Sequence, residues 1–183
     1  MMTKIEKARE FAAKAHAGQV RKGTNIPYIV HPAEVYEILQ KMGADEDVLC
    51  SGLLHDTVED AGTSLSTLER EFGKRVSELV GAHSEDKSLT WKERKTIALA
   101  ELAKAPRDLQ MMVLADKLSN ARATVGDFLT FGDKVWERFN AGKKDEEWYY
   151  RGGLKALARL KDDVTAGWAY REFEDCVKVL FGE

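Results

Sequence analysis

The sequence has 183 residues, of which 44% are hydrophobic and 32% charged, a composition that excludes a disordered or fibrous chain. Its 28 basic and 31 acidic residues give a net charge of −3, which argues against a nucleic-acid partner or a membrane-surface partner. We expect one domain over residues 1–183. Cys50 and Cys176 lie in apolar helical patterns, which is typical of core cysteines in a reducing, cytoplasmic compartment.

The first half of the chain carries helix signals with one long interruption. Thr3 and Glu6 form a capping box for the first helix. A loop with three glycine or proline breakers follows over residues 18–29. Pro32 opens a second helix, and Asp45 caps a third that is predicted to run from about residue 46 to residue 60.

The second half continues the helical pattern. Apolar spacing predicts short helices around residues 65–72 and 76–80, and Thr90 with Glu93 forms another capping box. Pro106 begins a buried helix, residues 128–139 are an irregular aromatic stretch, and Asp145 caps the next helix. A last helix covers about residues 165–181 and is expected to pack on the rest. Because no segment alternates as a strand does, we predict an all-α, compact bundle of about eight to ten helices.

The segment LLHDTVED at residues 53–60 ends an apolar helix in four polar groups. On one continuous helix, His55, Asp56, Glu59 and Asp60 would share a side of the last turn and a half. Three carboxylates this close repel one another and face the negative end of the helix dipole, a cost that a divalent metal would offset. A solvent-exposed acidic turn explains the bare pattern equally well.

Two other segments carry related side chains. His31 lies at the junction of a loop and a helix, just before Pro32. Asp116 lies in an apolar helix, on a different face from Lys117, and a buried carboxylate must be paired or bind a metal. A salt bridge to Arg122 or to another chain segment is the alternative for Asp116. With His55 and Asp56, these residues make a donor set that suits Mn, Fe or Zn.

Four segments in this order resemble a known family. They are residues 15–23 (AHAGQVRKG), 27–32 (PYIVHP), 53–60 (LLHDTVED) and 114–120 (LADKLSN). They are similar to the HD-domain metal-dependent phosphohydrolases. More narrowly, they resemble the hydrolase domain of RelA/SpoT-type alarmone enzymes and the free-standing small alarmone hydrolases, over about residues 4–160.

The resemblance implies an activity and roles for named residues. It implies a hydrolase that removes the 3′-pyrophosphate of ppGpp or pppGpp, giving GDP or GTP and pyrophosphate. Glu59 and Asp60 would position and deprotonate the attacking water. One Mn²⁺, with Fe, Zn, Co or Mg as other options, would be held by His31, His55, Asp56 and Asp116. The substrate-binding residues would be Arg21, Lys22, Lys87, Asn120 and one of the pair Tyr149 and Tyr150, with the choice between the tyrosines left open.

One segment departs from the family. The alarmone enzymes carry a Gly-Val-Thr-Lys turn where this chain has GAHSEDK at residues 81–87. Lys87 can still reach a phosphate, and His83 either hydrogen-bonds in the site or lies in solvent. His16 is expected to be structural. The departure leaves open another nucleotide or phosphoester as substrate, such as NADPH. A nucleotide-binding module without turnover is a third option, which the Glu59–Asp60 pair disfavours. The oligomeric state is open, with a homodimer as one option.

Overall fold

The computed structural model describes residues 2–183. These residues form ten α-helices and two 3₁₀-helices, η1 and η2, and one isolated bridge between Val20 and Pro27. The helices are α1 (Lys4–Ala15), α2 (Val30–Lys41), α3 (Glu46–Leu54), α4 (Thr57–Ala61), α5 (Leu65–Phe72), α6 (Lys74–His83), α7 (Trp91–Leu102), α8 (Arg107–Phe131), η1 (Gly132–Arg138), α9 (Gly142–Ala156), η2 (Ala158–Leu160) and α10 (Gly167–Phe181). The all-α prediction is confirmed. No helix within residues 2–183 has both the length and the apolar character that a membrane crossing requires.

Most of the predicted helix start signals are confirmed. Both capping boxes form, at Thr3 before α1 and at Thr90 before α7, with the side chain and the backbone bonded reciprocally. The Asp45 carboxylate accepts from two backbone N–H groups at the start of α3. The prediction for Asp145 is wrong, because α9 begins three residues earlier, at Gly142. The aromatic stretch is also more regular than predicted, since α8 extends to Phe131 and η1 follows it directly.

The prediction of one continuous helix through residue 60 is wrong. Helix α3 ends at Leu54, and α4 begins at Thr57. The Thr57 hydroxyl donates to the Leu54 carbonyl at 2.7 Å, and this side-chain bond replaces backbone bonding at the break. Glu59 and Asp60 consequently lie in the first turn of α4. They are near the positive end of a short helix, the opposite of the predicted dipole arrangement.

Two apolar clusters set the positions of the helices. The larger cluster surrounds α8, where Leu114 and Leu118 are fully buried, and α10 packs on it through Phe173 and Val177. The smaller cluster joins α1, α3, α5 and α6 around residues such as Leu54. Because α3 contacts helices of both clusters, its C-terminal end is held between α2 and α8. The residues of the next section lie at this meeting point.

Candidate active site

The four predicted metal-binding residues come together from two helices and the junction between two others. His31 lies in the first turn of α2, His55 and Asp56 form the α3–α4 junction, and Asp116 lies within α8. The His31 Nε2 atom is 3.2 Å from His55 Nε2 and 3.2 Å from Asp116 Oδ1. His55 Nε2 is 2.9 Å from Asp56 Oδ2. Adjacent ligands on bonds of about 2.1 Å lie roughly 3–3.5 Å apart, so these atoms fit one divalent ion.

The outer nitrogens of both imidazoles are held by the protein. His55 Nδ1 donates to the Gly52 carbonyl at 2.8 Å. His31 Nδ1 donates to Ser119 Oγ at 2.9 Å, and the Ser119 hydroxyl in turn donates to Glu34 Oε2 at 2.8 Å. These bonds put the proton on Nδ1 and point the Nε2 lone pairs at the cluster, which is the tautomer that binds a metal.

The electrostatics of the cluster favour a bound cation. Burial opposes ionisation of Asp56 and Asp116, yet the neighbouring imidazoles, His55 for Asp56 and His31 for Asp116, hold the pKa of both carboxyls well below the usual range. Burial also opposes a charge on His55, but Asp56 outweighs it and raises the pKa of His55 to about 9. Burial lowers the pKa of His31. Two carboxylates therefore face one site that a proton or a metal ion must neutralise.

The salt bridge to Arg122 considered as an alternative for Asp116 does not form. Arg122 instead pairs with Glu34 at 3.0 Å and with Glu172 at 2.7 Å. Asp116 also accepts a hydrogen bond from Asn120 Nδ2 at 2.7 Å, and Asn120 Oδ1 accepts from Arg21 Nη2 at 2.8 Å. Arg21 is thus linked through an amide to the carboxylate of the cluster.

A cleft with a volume of about 510 Å³ opens from the cluster. Its walls carry cations and aromatic rings beside the His/Asp cluster. The cationic residues are Arg21, Lys22, Lys95, Lys117 and Arg138, and the aromatic ones include Tyr28, Trp91, Tyr149 and Tyr150. A volume of this size accommodates a small molecule the size of a nucleotide.

The two predicted catalytic carboxylates differ in position. Glu59 lines the cleft, accepts from the backbone N–H of Glu85 at 2.7 Å, and has a pKa raised by burial. The Asp60 side chain is 43% exposed and lies 3.5 Å from the Tyr28 hydroxyl. The same hydroxyl donates to Asp56 Oδ2 at 2.6 Å. Tyr28 therefore connects Asp60 to the cluster.

Lys87 lies outside the cleft wall. Its ammonium donates to the Glu59 carbonyl at 2.6 Å and lies 3.4 Å from Asp60 Oδ1. Lys22 does line the cleft, and its ammonium donates to Asn140 Oδ1 at 3.2 Å. Of the predicted cations, Arg21 and Lys22 line the cleft. Lys87 instead contacts the backbone carbonyl of Glu59 and the carboxylate of Asp60.

The two tyrosines have different surroundings. The Tyr149 ring faces the ammonium groups of Lys117 at 3.6 Å and Lys95 at 4.8 Å. The Tyr150 hydroxyl lies 3.4 Å from Thr124 Oγ1, and its ring packs near Phe173. Both side chains line the cleft, but Tyr149 is the one that stands among the cations.

Several residues of the site were missed from the sequence. Lys117, which the sequence places on a different helix face from Asp116, was not predicted as a site residue, yet its side chain is buried and lines the cleft. Burial lowers its pKa to about 8. Glu85 pairs with Lys95 at 2.8 Å and with Arg94 at 2.9 Å. Helical periodicity alone could not find these residues, since their approach depends on packing between α6, α7, α8 and α9. His83, left open above, also turns toward the cluster.

Comparisons with known proteins show which proteins the chain is similar to. A family model described as an HD domain matches residues 8–141. The chain is 40% identical over 121 residues to a guanosine-3′,5′-bis(diphosphate) 3′-pyrophosphohydrolase, MESH1, of Xenopus tropicalis, which covers 64% of this chain and 68% of that protein. Human MESH1 is 41% identical over 118 residues, with 63% of this chain and 66% of that protein covered.

A solved structure has the same overall shape. It is described as a metazoan ortholog of SpoT that hydrolyzes ppGpp. It superimposes with a TM-score of 0.80 at 27% sequence identity, and the match covers 100% of this chain and 98% of that chain. The sequence alignments, by contrast, span about two thirds of the two MESH1 proteins.

Proposed function

Since this chain belongs to the HD-domain family, we propose that it is a divalent-metal-dependent hydrolase that removes the 3′-pyrophosphate of ppGpp or pppGpp. The products are GDP or GTP and pyrophosphate. One observation carries the proposal, namely the compact His/Asp cluster at one end of a cleft whose walls hold five cationic side chains. A divalent ion and several cations together suit a substrate with two pyrophosphate groups.

The metal would be held by His31, His55, Asp56 and Asp116. We propose Mn²⁺, with Fe, Zn, Co or Mg as alternatives, because mixed nitrogen and oxygen donors do not select one of these ions by affinity alone. When bound, such an ion lowers the pKa of a water molecule and polarises a phosphoryl oxygen.

Glu59 and Asp60 would position the attacking water and accept its proton. Glu59 lines the cleft and its raised pKa suits a proton acceptor. Asp60 would support it, with Tyr28 and Lys87 in contact with its carboxylate. In the reaction the bond between the 3′-oxygen and phosphorus breaks. The hydroxyl of water joins the leaving pyrophosphate, and the 3′-oxygen takes up a proton.

The remaining residues would bind the nucleotide. Arg21, Lys22 and Asn120 line the cleft next to the cluster and would contact phosphate oxygens, Arg21 through its forked guanidinium. Tyr149, rather than Tyr150, has a ring beside cationic side chains, and the nucleobase would stack on this ring. Lys87 would act through Glu59 and Asp60. The proposed partner is thus a small nucleotide. The cytoplasmic location stays a prediction, and the two free cysteines are consistent with it.

The test is a substrate panel. Protein stripped of metal and reloaded with Mn²⁺ is incubated with ppGpp, pppGpp, NADPH and GTP, and the products are separated by anion-exchange chromatography. We expect pyrophosphate and GDP from ppGpp, and no product with His55→Ala. The variant Ser51→Ala is the matched control and should keep activity, because the buried Ser51 hydroxyl donates to the Asp47 carbonyl and contacts no predicted ligand. Phosphate release from NADPH alone would favour the other phosphoester. Saturable ppGpp binding without products would indicate a binding module.

A further inference from the structure

A third histidine faces the His/Asp cluster from a different helix. His83 is the last residue of α6, and its side chain is 19% exposed. Its ring lies 5.4 Å from the His55 ring, centroid to centroid. The Nε2 atom is 4.0 Å from Asp116 Oδ2. One ring nitrogen of His83 also lies within 4.8 Å of ligand atoms of both His55 and Asp56.

We propose that His83 is a third imidazole ligand of the metal ion held by His31, His55, Asp56 and Asp116. The inference rests on the metal centre of the proposed function and adds a ligand to it. Opposite ligands on bonds of about 2.1 Å are separated by about 4.2 Å. The 4.0 Å between His83 Nε2 and Asp116 Oδ2 is therefore short enough for both residues to bind one ion.

The surroundings of His83 leave its ring directed at the cluster. The Asp116 carboxylate is its charged partner across 4.0 Å, a distance too long for a hydrogen bond. The ring packs edge-on against His55, whose own outer nitrogen is bonded to Gly52. A largely buried imidazole beside His55 and Asp56 would gain a partner for its ring nitrogen if an ion were bound at the cluster.

The extra imidazole has a consequence for metal preference. With His83 the donor set contains three imidazoles and two carboxylates, whereas without it there are two of each. Imidazole nitrogen favours Zn²⁺, Co²⁺ and Ni²⁺ over Mn²⁺ more strongly than a water or carboxylate oxygen does. Loss of His83 should therefore weaken binding of Zn²⁺ and Co²⁺ about tenfold or more and weaken binding of Mn²⁺ less.

The experiment counts imidazoles on the metal. Full-length protein is stripped and loaded with one equivalent of Zn²⁺, and X-ray absorption at the zinc edge measures the number of histidine ligands. We expect three in the wild type and two in His83→Ala and in His83→Gln, the second of which retains the side-chain volume. The control is His16→Gln. Its imidazole is buried and bonded to Gln19, outside the cluster, so three ligands should remain.

A chelator competition with Zn²⁺, Co²⁺ and Mn²⁺ supplies the affinities. Two imidazoles in the wild type would overturn the inference, even if both His83 variants failed to fold. Equal affinities of wild type and His83→Gln would overturn it as well. Neither measurement uses a nucleotide. A three-imidazole centre without ppGpp hydrolysis would refute the proposed substrate only, and ppGpp hydrolysis with two imidazoles would refute this inference only.

Discussion

Ser119 is the residue whose removal should best reveal how the protein prepares His31 for a metal. The Ser119 side chain is buried, and its hydroxyl connects His31 Nδ1 to Glu34 through bonds of 2.9 and 2.8 Å. The change Ser119→Ala deletes one oxygen atom and leaves the packing of α8 otherwise intact. Glu34 retains its ion pair with Arg122, so the group left without a partner is the buried His31 N–H.

The expected cost follows from two effects. A buried donor without a partner costs about 1–3 kcal/mol, which should appear as a lower free energy of unfolding of the metal-free protein. The ring is also released to rotate or to change tautomer. Loss of such an outer hydrogen bond typically lowers metal affinity about 10- to 100-fold, which corresponds to about 1.4–2.8 kcal/mol.

The assay pairs this variant with Ser51→Ala. Ser51 is also buried, and its hydroxyl donates at 2.7 Å to the carbonyl of Asp47, which lies in the first turn of α3. Both variants lose a buried serine hydroxyl. Ser119→Ala loses the bonds to His31 and Glu34, whereas Ser51→Ala loses one bond, to a backbone carbonyl, that involves no predicted ligand. Urea unfolding of the metal-free proteins gives the stability change, and chelator competition gives the metal affinity.

Two outcomes would refute the reasoning. If Ser119→Ala bound metal within twofold of the wild type, the hydroxyl would not be orienting His31. If Ser51→Ala lost as much affinity as Ser119→Ala, the loss would reflect general destabilisation and not the chain of hydrogen bonds.

Three further predictions concern catalysis, binding and stability. Glu59→Gln should lower kcat for ppGpp about 100-fold or more with little change in KM, and steady-state kinetics showing an unchanged kcat would remove its role as proton acceptor. Arg21→Ala should instead act mainly on KM, raising it at least tenfold; a change confined to kcat would contradict a binding role. Asp163→Ala should lower the free energy of unfolding by about 1–2 kcal/mol, because Asp163 pairs with Arg107 at 2.7 Å and accepts from the turn before α10. The hydrogen bond from Arg107 lowers the pKa of Asp163, so its contribution is complete above the unfolded pKa of about 4 and is lost as the pH falls further. Urea unfolding of both proteins should therefore show the difference narrowing below pH 4, and a constant difference would exclude the ion pair as its cause.

Most element boundaries could be predicted because their signals are local. A capping box needs only residues three apart, as at Thr3 and Thr90, and the structure contains both. The break between α3 and α4 was missed because the local pattern across it still looks helical. The apolar pattern continues through residue 54 and the polar residues beyond it keep helical spacing, whereas the break depends on side-chain bonds such as Thr57 to Leu54. Asp145 was misassigned because a residue suited to capping can equally lie inside the first turn.

The candidate ligands could be chosen from the sequence because each is a polar residue in a distinctive local setting. His31 precedes a proline at a helix start, and Asp116 interrupts an apolar helix. Their role as ligands stays a prediction, but the structure does bring their donor atoms together at distances that suit one ion.

Residue pattern alone was sufficient for the helical class and for a short set of candidate ligands, because periodicity, caps and buried polar residues are properties of neighbouring positions. The direction of His83 and Lys117, and the difference between Tyr149 and Tyr150, required the packed fold. These features depend on how helices far apart in the chain meet around α8. The lateral packing of apolar faces sets that geometry, and no spacing within a single helix encodes it.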